Sequence, residues 1–403
     1  MSKTIIIGVT GGIAAFKTCQ LVSNLKKKGY DIHVIMTKNA TNLIHPNTFE
    51  VLSGNRVSVD TFDRNFQYDV EHISLAKKAD VFVVAPATAN SIAKFTHGLA
   101  DDMLSTTFLA SKCKKIICPA MNTGMLENQV TQENLKKCQE LGYIVVNSEN
   151  GFLACGDEGQ GRLADISIIE YNIEKALISE KFLHGKKILV TAGPTQEAID
   201  PVRFITNHSS GKMGYAIAKM AALFGAEVTL VSGPVSIEKP VDVNIINVIS
   251  AQDMYEEVKK NYFDQDIIIK CAAVADFTSL YIRNQKIKKS DQLSSIDLKS
   301  TVDILKYLGN YKNENQILCG FAMETENAID NARSKLYDKN CDCIILNNLT
   351  DADAGFKKDT NKITYISKKE EIEYPTQTKE ECAIEILKKC NDLKGEKDNV
   401  TYN

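Results

Sequence analysis

Thr4-Ile5-Ile6-Ile7-Gly8-Val9-Thr10-Gly11-Gly12-Ile13-Ala14-Ala15 opens the chain with a short β-rich apolar run that ends at paired glycines and passes into a helical pattern. Similar runs recur at 32–36, 81–85, 115–118 and 143–146, with amphipathic segments between them. That alternation is the βαβ signature of a parallel, doubly wound sheet. A second cycle opens at Lys187-Ile188-Leu189-Val190-Thr191 and continues through 226–231, 266–270, 316–320 and 343–346. The fold class is therefore α/β, with two doubly wound, Rossmann-like domains and mainly parallel sheets. The boundary is expected between Lys181 and Lys187, giving domains at 1–183 and 184–394 and a frayed polar tail at 395–403.

A chain of 403 residues exceeds what one core usually serves, which agrees with two domains. A formal net charge of -3 gives no electrostatic reason to expect nucleic acid. No apolar run approaches a membrane span, and Ser2-Lys3-Thr4 leads into a strand without a signal-peptide layout, so a cytoplasmic protein is expected. Eleven cysteines in such a chain read as reduced thiols. Cys19, Cys138 and Cys319 read as small core residues. Cys341 and Cys343 have no His or Cys at metal-site spacing nearby, so no zinc site is expected.

The turn at 8–15 places free backbone N–H groups and a positive helix end where a phosphate could sit. Its glycines do not spell G-x-G-x-x-G, and Met36-Thr37 stand where a nicotinamide dinucleotide site needs an acid, so a plain strand-to-helix turn competes with a phosphate site. Three further segments lie at strand ends, where open α/β sheets bind ligands: 86–90 (Pro-Ala-Thr-Ala-Asn), 119–125 (Pro-Ala-Met-Asn-Thr-Gly-Met) and the glycine-rich 151–162, which reads as a mobile flap.

On Pro-Ala-Met-Asn at 119–122, His-Ile-Ser-Leu at 72–75 and Ala-Cys-Gly at 154–156, residues 3–170 resemble the flavin-containing cysteine decarboxylases. The resemblance implies a flavodoxin-like domain whose FMN takes a hydride from the thiol-bearing carbon, eases loss of carbon dioxide and returns the electrons. It implies Cys155 as proton donor on the flap, Asn122 as holder of the substrate carboxylate and His72 as a base or electrostatic partner near the thiol. It places the flavin and its phosphate against Gly11, Gly12, Ile13, Thr37, Pro86, Thr88, Ala89, Asn90 and Ser105. The plainer alternatives are a chance thiol, a turn-forming Asn and a structural His.

In the second half, Gly211-Lys212 imitates the end of a P-loop. Thr206 replaces its first glycine and Met213 its Mg-binding hydroxyl residue, so a Walker-type NTPase is rejected. What remains is a polar loop entering a helix, able to hold an anion through backbone N–H groups. With Ala272-Ala273-Val274-Ala275-Asp276, Lys286-Ile287-Lys288-Lys289, Gly320-Phe321-Ala322 and the lysines at 335 and 339, residues 186–350 resemble phosphopantothenate-cysteine ligases. Together the halves resemble the bacterial fused decarboxylase–ligase of coenzyme A biosynthesis. That implies 4'-phosphopantothenate, L-cysteine and CTP as substrates and Mg2+ with the CTP, through ligands the sequence does not identify. It also implies a homo-oligomer with FMN near subunit interfaces.

Carried over, Asn207 holds the acyl phosphate, Arg203 guides the second half-reaction, and Lys286, Lys335 and Lys339 surround the phosphates. Ala273, Asp276, Asp303 and Phe321 contact the nucleotide. Lysines on a helix are otherwise a solvated face. Thr301-Val302 replaces the family's frequent Asn-Pro, and Lys270 occupies a strand end where a small or apolar residue is expected; solvent is one direction open to it, and the sequence assigns it no role. A two-domain nicotinamide oxidoreductase and a non-catalytic flavin-binding subunit are the competing readings. The missing dinucleotide fingerprint argues against the first, and the presence of His72, Asn122 and Cys155 against the second.

Overall fold

The computed structural model describes residues 2–62, 70–152, 156, 158–288, 295–324, 327–348 and 358–401. The chain divides into two units, Met1–Ser179 and Glu180–Asn403.

In the first unit β1 (Thr4–Val9), β2 (Asp31–Met36), β3 (Val81–Ala87), β4 (Lys114–Pro119) and β5 (Ile144–Val145) form one sheet in the order β2-β1-β3-β4-β5. Every neighbouring pair is parallel. Side chains alternate across it: Ile5, Ile7, Val81 and Val83 join one core with Leu21, Leu25 and Ile169 of flanking helices, while Ile6, Phe82 and Val84 join another with Ile92, Leu104 and Phe108. Both faces are covered, which is why the runs are continuously apolar rather than alternating. This is the flavodoxin-like strand order, and the chain changes direction between β1 and β3, leaving a crevice beyond their carboxyl ends. The described ends of the glycine-rich 151–162 segment pair antiparallel, β6 (Glu149–Phe152) with β7 (Glu158–Arg162).

The second unit is built on an eight-stranded sheet. Its strands are β8 (Lys187–Ala192), β11 (Glu227–Ser232), β12 (Val243–Asn247), β13 (Ile267–Lys270), β16 (Ile317–Glu324), β17 (Cys343–Asn348), β19 (Ile363–Ser367) and β20 (Glu371–Glu373). The order is β12-β11-β8-β13-β16-β17-β19-β20, parallel as far as β17 and antiparallel beyond it. Small ribbons pair β9 (Gln196–Ala198) with β10 (Phe204–Thr206), β14 (Phe277–Ser279) with β15 (Leu298–Ser300), and β18 (Thr360–Asn361) with β21 (Gln377–Thr378). Here the change of direction falls between β8 and β13.

Two expectations change. The 395–403 segment is not a frayed tail as far as it is described, because the helix Lys379–Thr401 runs through it. Its charges are used: Lys397 Nζ lies 2.7 Å from Asp342 Oδ1, Lys394 pairs with Asp398 at 2.7 Å, and Asp398 faces Lys186 at 3.4 Å. The fold also gathers three sulfurs far apart in sequence. Cys319, Cys343 and Cys390 are buried with their Sγ atoms within 4.8 Å of one another, a set that chain spacing could not reveal. Hydrogen bonding to the other two, with burial, holds the Cys319 thiol well above its usual range, the condition of a packed thiol.

Asp342 accepts from Lys312 Nζ and from Leu318 N–H at 2.8 Å, and its side chain is 14% exposed. Burial opposes its ionisation, but the Lys312 charge, the lysine hydrogen bonds and the N–H prevail and depress its pKa. Asp342→Asn strands two lysines and is expected to cost about 3 kcal/mol, read as a lower denaturant midpoint near neutrality. Because the folded pKa is below the ordinary 3.8, the ionised group's contribution is complete above that value. It fades as pH falls through the folded value, so the gap between variant and parent should close in acid.

Candidate active sites

At the first crevice the buried Thr10 stitches two strand-end loops together. Its Oγ1 donates to Pro86 O at 2.7 Å and accepts from Thr88 N–H at 3.1 Å. Thr37 N–H donates to Val9 O at 3.0 Å, and its Oγ1 caps the helix Lys38–Thr41. A cavity of about 500 Å³ opens here, with Gly12, Ile13, Phe16, Met121, Asn122 and Phe152 on its wall. Ile13 and Phe16 are each about 60% exposed, an unusual display of apolar surface at a helix start. Phe16 and Phe152 were missed by sequence reasoning. The signal for Phe16 was an apolar residue beside the glycine turn with no strand or helix face to bury it.

Of the residues predicted to hold a flavin, Gly12 and Ile13 lie on the cavity wall, and Asn122, predicted to hold a carboxylate, joins them. Pro86 and Thr88 back Gly12: a Cβ there would lie 3.5 Å from Pro86 Cγ and 3.7 Å from Thr88 Cγ2. Thr37, Ala89, Asn90, Ser105 and His72 are not on the wall. Thr88 caps the helix Ala89–His97, on which Asn90 is exposed, and buried Ser105 is engaged with Asp102 at 2.8 Å in a capping box. His72 stands on the helix Glu71–Lys78, anchored by Ser58 Oγ donating to Glu71 Oε1 at 2.5 Å.

Asn122 Oδ1 accepts from Gly124 N–H at 2.9 Å, which orients its amide and caps the helix Thr123–Glu127. The hairpin is fastened to this loop, since Met121 N–H donates to Gly161 O at 3.0 Å and Thr123 Oγ1 to Gln160 O at 2.9 Å. Cys155, predicted as the proton donor, lies outside the described residues.

The second crevice repeats the arrangement. Ala273 N–H donates to Gly193 O at 2.9 Å, Ala272 N–H to the buried Thr191 Oγ1 at 3.1 Å, and Ala275 N–H to the buried Thr195 Oγ1 at 3.0 Å. Asn207 Nδ2 donates to both Ala273 O at 3.1 Å and Val274 O at 3.2 Å, tying the polar loop to the crevice floor. That loop enters the helix Lys212–Leu223. A cavity of about 480 Å³ collects Asn207, Ala273, Asp276, Phe321 and Lys335 from the predicted set. Lys335 Nζ donates to Phe321 O at 2.9 Å. Asn347 also lines it, with a buried Oδ1 that has no hydrogen-bond partner among the described residues.

Asp303 and Lys339 are off the wall and paired with each other, and Asp303 caps the helix Ile304–Tyr311 by accepting Lys306 N–H at 2.9 Å. Burial works against the Asp303 charge, but Lys339 and that N–H depress its pKa. Thr301 accounts for the departure from Asn-Pro: its Oγ1 donates to Ala275 O at 2.6 Å and its N–H to Asp276 O at 2.9 Å, so the loop is fixed without a proline. Arg203 and exposed Lys286 are also off the wall. Arg203 Nη1 lies 3.3 Å from Asp200 Oδ2, and its Nη2 donates to Ile287 O at 3.2 Å, so Arg203 steadies the segment carrying Lys286. Lys270, for which solvent is one direction the sequence leaves open, is instead half-buried on the cavity wall.

Residues 1–177 match the Flavoprotein family, and residues 183–393 match the DNA/pantothenate metabolism flavoprotein C-terminal domain. Over 390 residues the chain is 45% identical to the coenzyme A biosynthesis bifunctional protein CoaBC of Bacillus subtilis, covering 96% of each. The chain belongs to the CoaBC family. CoaBC of Haemophilus influenzae is 41% identical over 385 residues, again 96% of each. A cysteine/cysteine sulfinic acid decarboxylase from an unknown prokaryotic organism is 44% identical over 353 residues, covering 86% of this chain and 98% of that protein. In this CoaBC chain each family match falls on one structural unit, and each unit carries its own crevice. No helix among the described residues is long and apolar enough to cross a membrane.

Proposed function

We infer that this chain is the bifunctional enzyme of coenzyme A biosynthesis that ligates cysteine to 4'-phosphopantothenate with CTP and decarboxylates the product to 4'-phosphopantetheine. One observation carries the reading: a chain related to CoaBC over 96% of its length places a ligand-sized crevice at the direction change of each unit.

In the second crevice the carboxylate of phosphopantothenate attacks the α-phosphate of CTP and pyrophosphate leaves. The amine of cysteine then displaces CMP from the acyl cytidylate, forming the amide and releasing a proton. Lys335 and, once its segment folds over, Lys286 neutralise phosphate oxygens, with Lys339 and Asp303 fixing the helix start beside them. Asn207, its amide tied to the crevice floor, holds the polar loop against the acyl phosphate, and Asp276 and Phe321 face the nucleoside. Mg2+ accompanies the triphosphate as part of the substrate.

The first crevice suits FMN. Its wall is largely apolar, and Gly11 packs so closely that a Cβ would lie 2.6 Å from Asn39 Cβ, leaving the turn's backbone bare for a phosphate. FMN, when bound, supplies reversible hydride transfer. Gly11, Gly12 and Ile13 would hold it with Pro86 and Thr88 behind them. Thr37, Ala89, Asn90 and Ser105 shape the surrounding loops. Asn122 turns its amide N–H toward the departing carboxylate, His72 faces the thiol side, and Cys155 returns a proton. Exposed Ile13, Phe16 and Phe152 favour a homo-oligomer in which a second copy covers this rim, and the small-molecule chemistry favours a cytoplasmic setting.

The test is product analysis by mass spectrometry. Yellow protein given phosphopantothenate, cysteine and CTP should form phosphopantetheine, pyrophosphate and carbon dioxide, with ATP a poorer donor. Colourless protein that forms no pyrophosphate, or one that decarboxylates only free cysteine or its sulfinate, defeats the reading. Cys155→Ser should leave ligation intact and accumulate an oxidised or unsaturated product. Parent-like phosphopantetheine output would remove Cys155 from the mechanism.

A further inference from the structure

Among the described residues four lysines line the second cavity: Lys335 serves the chemistry above, Lys212 is paired with Asp359, Lys379 donates to Lys358 O and Thr360 O, and Lys270 is left to account for. Lys270 ends β13 in register with Thr191 and Gly320, directly after the wholly buried Ile267, Ile268 and Ile269. An apolar residue would continue that run at no electrostatic cost. Lys270 instead carries an amine into the cavity, where Nζ donates to Ala272 O at 3.1 Å. Among the described residues no carboxylate lies within ion-pair distance of it.

The charged and titratable groups that face Lys270 are Lys335 from the helix Ala328–Asp338, Asp303 from the cap of the helix Ile304–Tyr311, and Cys271 and Asp276 from the loop that follows β13. Asp303 is already paired with Lys339. Lys270 and Lys335 therefore set like charge side by side on a partly dry wall that Lys212 and Lys379 also line, an arrangement that is unfavourable until an anion arrives.

We propose that Lys270 is a substrate-binding residue of the ligase cavity, its ammonium meeting a phosphate oxygen that Lys335 approaches from the other side. The proposal rests on the ligase reading above. The phosphate belongs either to the nucleotide or to the pantothenate arm, and the two are separated by experiment. Burial first, and the Lys335 charge second, bring the amine down to about 8, despite the opposing pull of Asp303. In the absence of ligand it is thus protonated below about pH 8 and neutral above, and an anion would draw the proton back.

The experiment measures pyrophosphate release by the full-length enzyme, varying CTP and phosphopantothenate in turn at about pH 7 and about pH 9. Lys270→Met should raise KM for one of the two roughly tenfold or more at the lower pH, the scale of a lost charge-assisted hydrogen bond, with kcat nearly unchanged. Which KM responds identifies the phosphate, and the KM for cysteine serves as control. The parent's KM for that substrate should climb at the higher pH, Lys270→Met should abolish the climb, and Lys270→Arg should keep KM low at both.

Unchanged KM values for both substrates, or a climb with pH that survives in Lys270→Met, overturns the proposal. If Lys270→Met does not fold, judged by loss of the ligase unit's cooperative thermal transition in the full-length protein, Lys270→Gln is read by the same criteria. A parent enzyme that releases no pyrophosphate defeats the ligase reading itself.

Discussion

Asn207→Asp is expected to lower pyrophosphate release by about a hundredfold or more, the scale of misplacing a phosphate-binding loop by an ångström. The amide Nδ2 bridges two carbonyl oxygens, Ala273 O and Val274 O. A carboxylate there offers no donor and sets negative charge against both carbonyls and against the incoming phosphates. The loop that leads into the helix Lys212–Leu223 loses its tie to the floor together with its electrostatic role. Decarboxylation of supplied phosphopantothenoylcysteine should be retained, because the other unit carries that crevice. Loss of both activities would show that the units are not chemically independent, and full ligation would remove Asn207 from the site.

The second large effect is expected from Gly161→Ala. Gly161 has φ +141, and a Cβ there would lie 2.1 Å from Met121 O, a backbone atom that cannot swing aside. The substitution has to break the Met121 N–H to Gly161 O bond and lift the hairpin from the loop that orients Asn122. Decarboxylation should fall by about a hundredfold, the penalty for misplacing a site by an ångström. Ligation should persist, and a small shift in melting temperature would separate a local lift from unfolding of the unit. Near-parental decarboxylation would mean that the hairpin is not a working part of the site.

The strand runs were legible because parallel sheets bury both faces, and the 4–9 and 81–85 runs carry that requirement openly in their composition. The strands beyond β17 were not, because β20 at the edge is short and half-exposed, and reversal of direction leaves no mark on composition. Among the candidate residues, those just past a strand end, such as Gly12, Asn122 and Ala273, reach a cavity wall, as does Phe321 from within β16. Motif matching named others whose positions depend on tertiary ties: Ser105 is turned to Asp102, Lys339 to Asp303, and Arg203 to Asp200 and Ile287 O. Lys270 went the other way. Its strand-end position was noticed, but its direction required knowing that Lys335 and Asp303 come from two different helices to the same spot.

Both crevice floors are edges of adjacent parallel strands, β1 with β3 and β8 with β13, so each floor is held by a hydrogen-bond ladder inside its core. Such floors yield only when the whole unit unravels. In the first unit the ribbon of β6 with β7 borders the cavity with Phe152, Gly161 and Arg162 and is joined to the loop after β4 by the Met121 and Thr123 bonds, so it can lift without breaking that ladder. Turnover in that half would then be paced by the ribbon, leaving the rigid bed to fix only where atoms meet.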